Sequence, residues 1–151
     1  MTQAQTLRSI GLLLRGINVE FRQNVDAALR QAGLGVTFAE VSPLMLLNLE
    51  PGRNGAQLAR QSLVSAQAMN TVLQGLAGKG YIERRPHPRS LRADSWHLTA
   101  TGGQLLERVR VVLNVATATM LAGLSDREVQ ALEQALQRCA TNLRAAAPGQ
   151  A

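Results

Sequence analysis

The chain is poor in the features that commit a protein to chemistry. Its 151 residues include a single cysteine, Cys139, so no intrachain disulfide can form. No Cys/His cluster has metal-ligand spacing, and no metal or other cofactor is expected. There is no nucleophile motif, no phosphate-cradling glycine loop and no pair of carboxylates placed for a cleft, which argues against an enzyme. Gly33-Leu-Gly35 is a helix end and not a dinucleotide fingerprint, because no strand precedes it. Aromatic residues make up only 3% of the chain, so Leu, Val and Ala must do most of the packing. No apolar run is long enough to span a membrane. Leu12 to Leu14 follows polar residues and leads into Arg15 and Asn18, unlike a signal peptide. The expected location is the cytoplasm, with no membrane partner. Internal repeats and low-complexity blocks are also missing.

What is present suffices for one folded domain. Apolar residues are 46% of the chain, enough to bury a core. The net charge is +6, and its distribution is uneven. Residues 1–50 are neutral overall, residues 51–100 carry +5 and residues 101–151 carry +1. A positive excess confined to one segment is the electrostatic footprint of phosphate binding.

The first six residues read as a loose polar tail. A helix is predicted over 6–32, with Ile10, Leu13, Leu14, Ile17, Phe21, Val25, Ala28 and Leu29 recurring at steps of three and four. Arg8, Arg15, Arg22 and Arg30 lie largely off that stripe. Thr37-Phe-Ala-Glu40 is a capping box, so a second helix begins at Phe38, with Val41, Leu44, Leu47 and Met45 as its candidates to face the core. Pro43 conflicts with it. Either the helix kinks there, or the first turn is separate and the regular helix starts near Ser42.

The stretch from Asn54 to Thr99 organises the rest. Asn54-Gly-Ala-Gln57 starts a short helix with Leu58 and Ala59 pointing inward. Ser62 to Val64 break the run, and Ser65 caps a second helix with Met69, Val72, Leu73 and Leu76 on its inner face. Gly78 and Gly80 end it. Two β-capable runs, within Ile82–Arg92 and Asp94–Thr99, then flank a tip rich in Pro and Arg and predict a hairpin. Helix, turn, helix and hairpin make a winged helix-turn-helix.

A long helix is predicted over 100–121, its inner face Leu105, Leu106, Val109, Val112, Leu113, Ala116 and Met120, with Gly102-Gly103 a weak spot in its first turn. Ser125-Asp-Arg-Glu128 is a capping box for a last helix carrying Val129, Leu132, Leu136, Cys139 or Ala140, and Leu143. Cys139 reads as a small packed hydrophobe on that stripe, not a redox switch.

In these pieces the sequence resembles the MarR family of bacterial transcription regulators. The resemblance rests on Gln57-Leu-Ala-Arg60, on Leu76-Ala-Gly-Lys-Gly-Tyr-Ile-Glu-Arg-Arg85 and on Leu98-Thr-Ala-Thr-Gly102. Each is degenerate alone; in this order and spacing, with one long helix before and two after, they are specific. One departure stands out. The wing of the family usually carries Asp-x-Arg, and here the matching residues are Ser90-Leu91-Arg92. The resemblance implies a mainly α fold with a small β-hairpin wing in a single domain, 1–151. Residues 37–99 would be the DNA-binding part, and 6–33 with 100–146 the helical dimerisation part. It also implies a homodimeric, ligand-responsive repressor on a pseudo-palindromic site, with a small aromatic or phenolic effector between the two parts. Phe21, Arg22, Met45 and Val109 are loose candidates for the lining of that effector site.

The second helix of the motif is the expected recognition helix. Its outer face offers Ser65, Ala66, Gln67, Asn70, Thr71 and Gln74, short polar or small side chains suited to base edges in the major groove. Arg53, Arg60, Lys79, Arg84, Arg85, Arg89 and Arg92 are candidate phosphate contacts. Arg92 matches the wing arginine of the family and is the minor-groove candidate. Pro86 and Pro88 would stiffen the tip and protect its edge. His87 and His97 are expected to face solvent or phosphate. The rival reading is a winged-helix protein-interaction module that binds no DNA.

Overall fold

A computed structural model describes residues 2–87 and 90–146, and only the backbone of residues 87 and 90–94. The order is α1 (Gln3–Gln31), α2 (Phe38–Leu49), α3 (Gly55–Gln61), α4 (Ala66–Gly78), β1 (Ile82–His87), β2 (Ser90–Leu98), α5 (Ala100–Met120) and α6 (Asp126–Ala146). The mainly helical fold with a hairpin wing is the expected one.

Local capping sets most of these boundaries. α1 begins earlier than expected, because Thr2 and Gln5 form a capping box. The Thr2 N–H donates to Gln5 Oε1 at 2.8 Å, and the Gln5 N–H donates to Thr2 Oγ1 at 3.4 Å. Residues read as a loose tail are thus helical from Gln3 onward. At the other end Gly33, at φ +64°, lets Leu34 N–H reach back to the Leu29 carbonyl at 3.1 Å.

α2 starts at Phe38 as predicted, with Thr37 N–H donating to Glu40 Oε2 at 2.8 Å. Asp26 of α1 adds a second carboxylate, accepting from Phe38 N–H at 2.7 Å. The helix continues through the buried Pro43 to Leu49, so a separate first turn ending before Ser42 does not form.

α3 carries the Asn54–Gln57 box, with reciprocal bonds of 2.9 Å. Its exit is unusual. Leu63 adopts φ +55°, the left-handed conformation that usually falls to glycine, and Val64 N–H returns to the Ala59 carbonyl at 3.1 Å. Ser65 Oγ then caps α4 through Ala68 N–H at 3.1 Å.

The core joins Val25 and Leu29 of α1, Leu44 and Leu47 of α2, Leu58 of α3, Met69, Leu73 and Leu76 of α4, Trp96 of β2, and Leu106 and Val109 of α5. The helix-turn-helix is therefore held from inside by its aliphatic residues. The wing is a two-stranded antiparallel sheet pairing Ile82 with Leu98, Arg84 with Trp96 and Arg85 with Ser95, with an irregularity between Pro86 and His87. The strands take up most of the stretch read as a tip. A further bridge joins Arg53 to Trp96, so the segment before α3 lies along the open edge of β2.

Gly102 is no weak spot. It is buried, and a Cβ there would lie 1.9 Å from the Tyr81 carbonyl oxygen. α5 can approach the start of the wing only because that position has no side chain. Thr99 locks the junction: its N–H donates to Tyr81 O at 3.1 Å, its hydroxyl donates to Gly80 O at 2.7 Å and accepts from Gly102 N–H at 3.0 Å.

The chain divides into two units, one up to Ala116 and one from Thr117 onward. Two stretches depart from the expected burial. Leu7, Ile10, Leu13, Leu14 and Ile17 in the first half of α1 are exposed, and only Val25 and Leu29 of the predicted stripe are fully buried. In the second unit α6 forms at its Ser125–Glu128 box, yet no described residue of it is buried. Donation from the Ser125 hydroxyl and N–H holds the Glu128 carboxyl below its usual range. Leu132, Leu136 and Leu143 are exposed, and so is Cys139, which corrects the expectation that it is packed. Met120, placed on the inner face of α5, is also exposed. Periodicity marks an apolar stripe; it does not say whether the chain buries it.

Candidate nucleic-acid interface

α4 is amphipathic in the sense expected. Met69, Leu73 and Leu76 are at most 1% exposed. Ser65, Ala66, Gln67, Asn70, Thr71 and Gln74 are all exposed. The Thr71 hydroxyl donates to the Gln67 carbonyl at 3.2 Å, which leaves its oxygen able to accept. Among the described residues no hydrogen bond engages the Gln67, Asn70 and Gln74 side-chain amides, and each has a donor and an acceptor to offer a base edge.

The candidate cations fall into distinct environments. Arg60 is exposed near the end of α3. Arg84 lies across the sheet from Trp96, with its guanidinium carbon 5.3 Å from the ring centre, a cation–π contact that orients the group. Arg85 Nε bonds Glu83 Oε1 at 2.8 Å, and both side chains are about half exposed. Arg53 is mostly buried and paired with Glu50, and its Nε is buried without a hydrogen-bond partner. It braces the segment beside β2. Lys79 is also committed internally. Its ammonium donates to Glu40 at 2.6 Å and to the Gly35 carbonyl at 3.0 Å. Both depart from the expectation of open phosphate contacts, because each charge already faces a carboxylate, Lys79 the buried Glu40 and Arg53 the exposed Glu50. Pro88 and Arg89 lie outside the described residues. So do the side chains of His87 and Arg92, although Arg92 is placed on β2.

The base of the wing holds a polar cluster that the sequence did not announce. Ser95 is 2% exposed and donates to the Arg85 carbonyl at 3.1 Å. Its oxygen is 3.1 Å from His97 Nε2. Since the Ser95 proton is spent on the carbonyl, His97 Nε2 must carry the hydrogen in this contact. Burial and the nearby Arg85 charge hold the His97 pKa below 6.5, against a smaller opposing effect of Glu83. His97 thus sits half-buried against Gly52, not facing solvent as expected. No sequence motif marks it.

Of the loose candidates for an effector site, Phe21 meets Phe38 edge-on at 6.1 Å, and Arg22 lies 5.6 Å over the Phe38 ring. Val109 is fully buried in the core and lines no open space. Among the described residues no group of three His, Cys, Asp or Glu side chains is placed to hold a metal ion. No helix among them is long and apolar enough to cross a membrane.

A polar recognition face on the second helix of a helix-turn-helix, beside a basic two-stranded wing, defines a winged helix-turn-helix DNA-binding protein. The comparisons with known proteins agree. The model of the MarR family matches residues 34–93. The HTH-type transcriptional repressor Rv2887 of Mycobacterium tuberculosis is 36% identical over 129 residues, covering 85% of this chain and 91% of that one. The crystal structure of that protein in complex with DNA superposes with a TM-score of 0.72 at 35% identity, covering 85% of this chain and 95% of the other. Its complex with salicylic acid gives 0.71 at 36% identity, covering 85% and 94%. The chain belongs to the MarR family and is a DNA-binding transcription regulator, not an enzyme.

Proposed function

We propose that this protein is a homodimeric repressor that reads a pseudo-palindromic site through α4 and grips the flanking duplex with its wing. The observation that carries the reading is the exposed row Ser65, Gln67, Asn70, Thr71 and Gln74 over the buried Met69, Leu73 and Leu76. Residues 37–99 form the DNA-binding part in this reading, and 6–33 with 100–146 the dimerisation part. Support for the dimer comes from the apolar faces of α1 and of α6, each of which its own chain leaves exposed. Exposed apolar surface on this scale is a mark of an interface. The expected interface is of the large obligate kind, above about 2,000 Å². A relative crystallised with salicylic acid supports a small aromatic or phenolic acid as effector.

Salt titrations on the intergenic DNA upstream of the gene and on a scrambled duplex test the division of labour. Gln67→Ala and Asn70→Ala should each cost about 1–3 kcal/mol per contact on the specific site and little on the scrambled one. Arg92→Ala should weaken both and lower the salt slope by roughly two units for a dimer. Equal losses on both duplexes for the Gln67 and Asn70 variants would show that α4 does not read bases. The dimer has its own check in Cys139. The thiol should react slowly with a disulfide reagent at micromolar concentration and quickly once Leu136→Glu disrupts the stripe; equal rates refute the packing of α6 in a dimer.

A further inference from the structure

By sequence Lys79 is one more candidate phosphate contact, yet its surroundings point elsewhere. It is the C-cap residue of α4, and its ammonium spans to Glu40, 39 positions earlier in α2. Glu40 is 8% exposed, the only charged residue among the described ones to be buried. All of its carboxylate is engaged. Oε1 accepts from Lys79 Nζ at 2.6 Å, and Oε2 accepts from the Thr37 N–H at 2.8 Å and from the Thr37 hydroxyl at 3.2 Å. Lys79 Nζ also donates to the Gly35 carbonyl at 3.0 Å. Asp26 of α1 holds the same helix start through Phe38 N–H at 2.7 Å. A continuous polar chain therefore runs from α1, through the first turn of α2, to the end of α4.

A buried carboxylate that lost its cation would be left with an uncompensated charge, so Lys79 cannot leave Glu40 to meet a phosphate without a large penalty. The exposed Arg85–Glu83 pair is under no such constraint. Resting on the DNA-binding reading above, we propose that Lys79 and Glu40 are positioning residues for operator recognition. They fix the end of α4 against the start of α2, so that Gln67, Asn70 and Gln74 are presented in one orientation. Lys79 neutralises no phosphate.

The test compares wild type with Lys79→Met, Lys79→Arg and the double variant Glu40→Gln/Lys79→Met. Each is titrated with salt on the upstream intergenic duplex and on a scrambled duplex, below its own unfolding temperature. Lys79→Met should weaken operator binding about tenfold, leave scrambled binding unchanged and keep the salt slope of wild type, since no counterion release is lost. Lys79→Arg should restore most of the ratio, whereas the double variant, which relieves the unpaired charge but not the lost link between α2 and α4, should not; full restoration by the double variant overturns the positioning role. In the DNA-free protein, Lys79→Met should shift amide resonances along α4 as far as Gln67, and Lys79→Arg should reverse this. A slope reduced by about two units with equal losses on both duplexes makes Lys79 a phosphate contact and overturns the proposal. So do amide shifts confined to the residues beside position 79. Wild-type protein that does not distinguish the two duplexes overturns the DNA-reading function itself, whatever the amide shifts show.

Discussion

Two neighbouring glycines should respond to the same substitution with opposite signs. Gly102 and Gly103 both lie in the first turn of α5. In an exposed helix position, Gly→Ala stabilises by roughly 0.5–1 kcal/mol, because alanine loses less backbone freedom on folding. At Gly103 nothing lies within 4 Å of the added Cβ, so Gly103→Ala should show that gain. At Gly102 the Cβ would lie 1.9 Å from the Tyr81 carbonyl oxygen, 2.9 Å from its carbon and 3.2 Å from Leu98 Cδ2. The first two are backbone atoms and cannot rotate away. α5 and the start of β1 must separate by more than 1 Å to reach ordinary contact (~3.4 Å or more between carbon and its neighbours). That movement pulls on the Thr99–Tyr81 and Thr99–Gly80 hydrogen bonds. Overpacking of this kind costs about 1–3 kcal/mol, and the backbone contact places it at about 3. The propensity gain offsets at most about 1 kcal/mol, so Gly102→Ala should destabilise by about 2 kcal/mol or more. For a chain of this size that is a fall of roughly 4–8 °C in Tm. Urea unfolding at fixed protein concentration, followed by circular dichroism, measures both variants. A Gly102→Ala protein as stable as Gly103→Ala would refute the close approach of α5 to Tyr81.

Two further outcomes follow from local geometry. Leu63 holds φ +55° and is 92% exposed, so Leu63→Gly relieves a conformational cost of about 1–2 kcal/mol while adding unfolded-state freedom, for a net gain of about 0.5–1 kcal/mol by chemical denaturation. His97 has a folded pKa below its unfolded value of 6.5, so its contribution is present above pH 6.5 and is lost as the pH falls from there through the folded pKa. His97→Gln, which keeps a donor for Ser95, should flatten the stability profile below pH 6.5; an unchanged slope places the titration elsewhere.

What the sequence made legible was what neighbours along the chain decide. The Thr37–Glu40, Asn54–Gln57 and Ser125–Glu128 boxes each start a helix where three residues of sequence say they should. The Thr2–Gln5 box is equally local, but the first residues of a chain are so often loose that the pattern carries little weight there. The inner face of α4 was legible because the buried partners of Met69, Leu73 and Leu76 need only be apolar, whichever element supplies them. What stayed hidden depends on residues far apart. Gly102 looks like a helix weakness until Tyr81 lies against it. Cys139 looks packed because its stripe is apolar, and a stripe carries no sign of whether its cover belongs to the same chain.

The same limit applies to charge, and it changes how the wing should be counted. The +5 of residues 51–100 treats seven cations as equivalent. In the fold they are not. Lys79 is held by a carboxylate that is buried and has its other oxygen engaged. Arg53 is largely buried beside Glu50 with an unpartnered Nε. Taking Lys79 from the buried Glu40 costs far more than one phosphate contact in water returns, whereas the Glu50 beside Arg53 is itself exposed. Arg85 and Glu83 are both well exposed, and such a pair is worth about 0–1 kcal/mol, less than a charge-assisted bond to a phosphate oxygen. Arg85 can therefore exchange partners on binding, at the cost of leaving Glu83 near the duplex. Arg60 is exposed, and Arg84 is aligned by the Trp96 ring. Arg60 and Arg85 are thus cations of this segment able to release counterions from DNA. A salt slope calculated from all seven would be too steep by Lys79, which a buried carboxylate has already neutralised, twice over in a dimer.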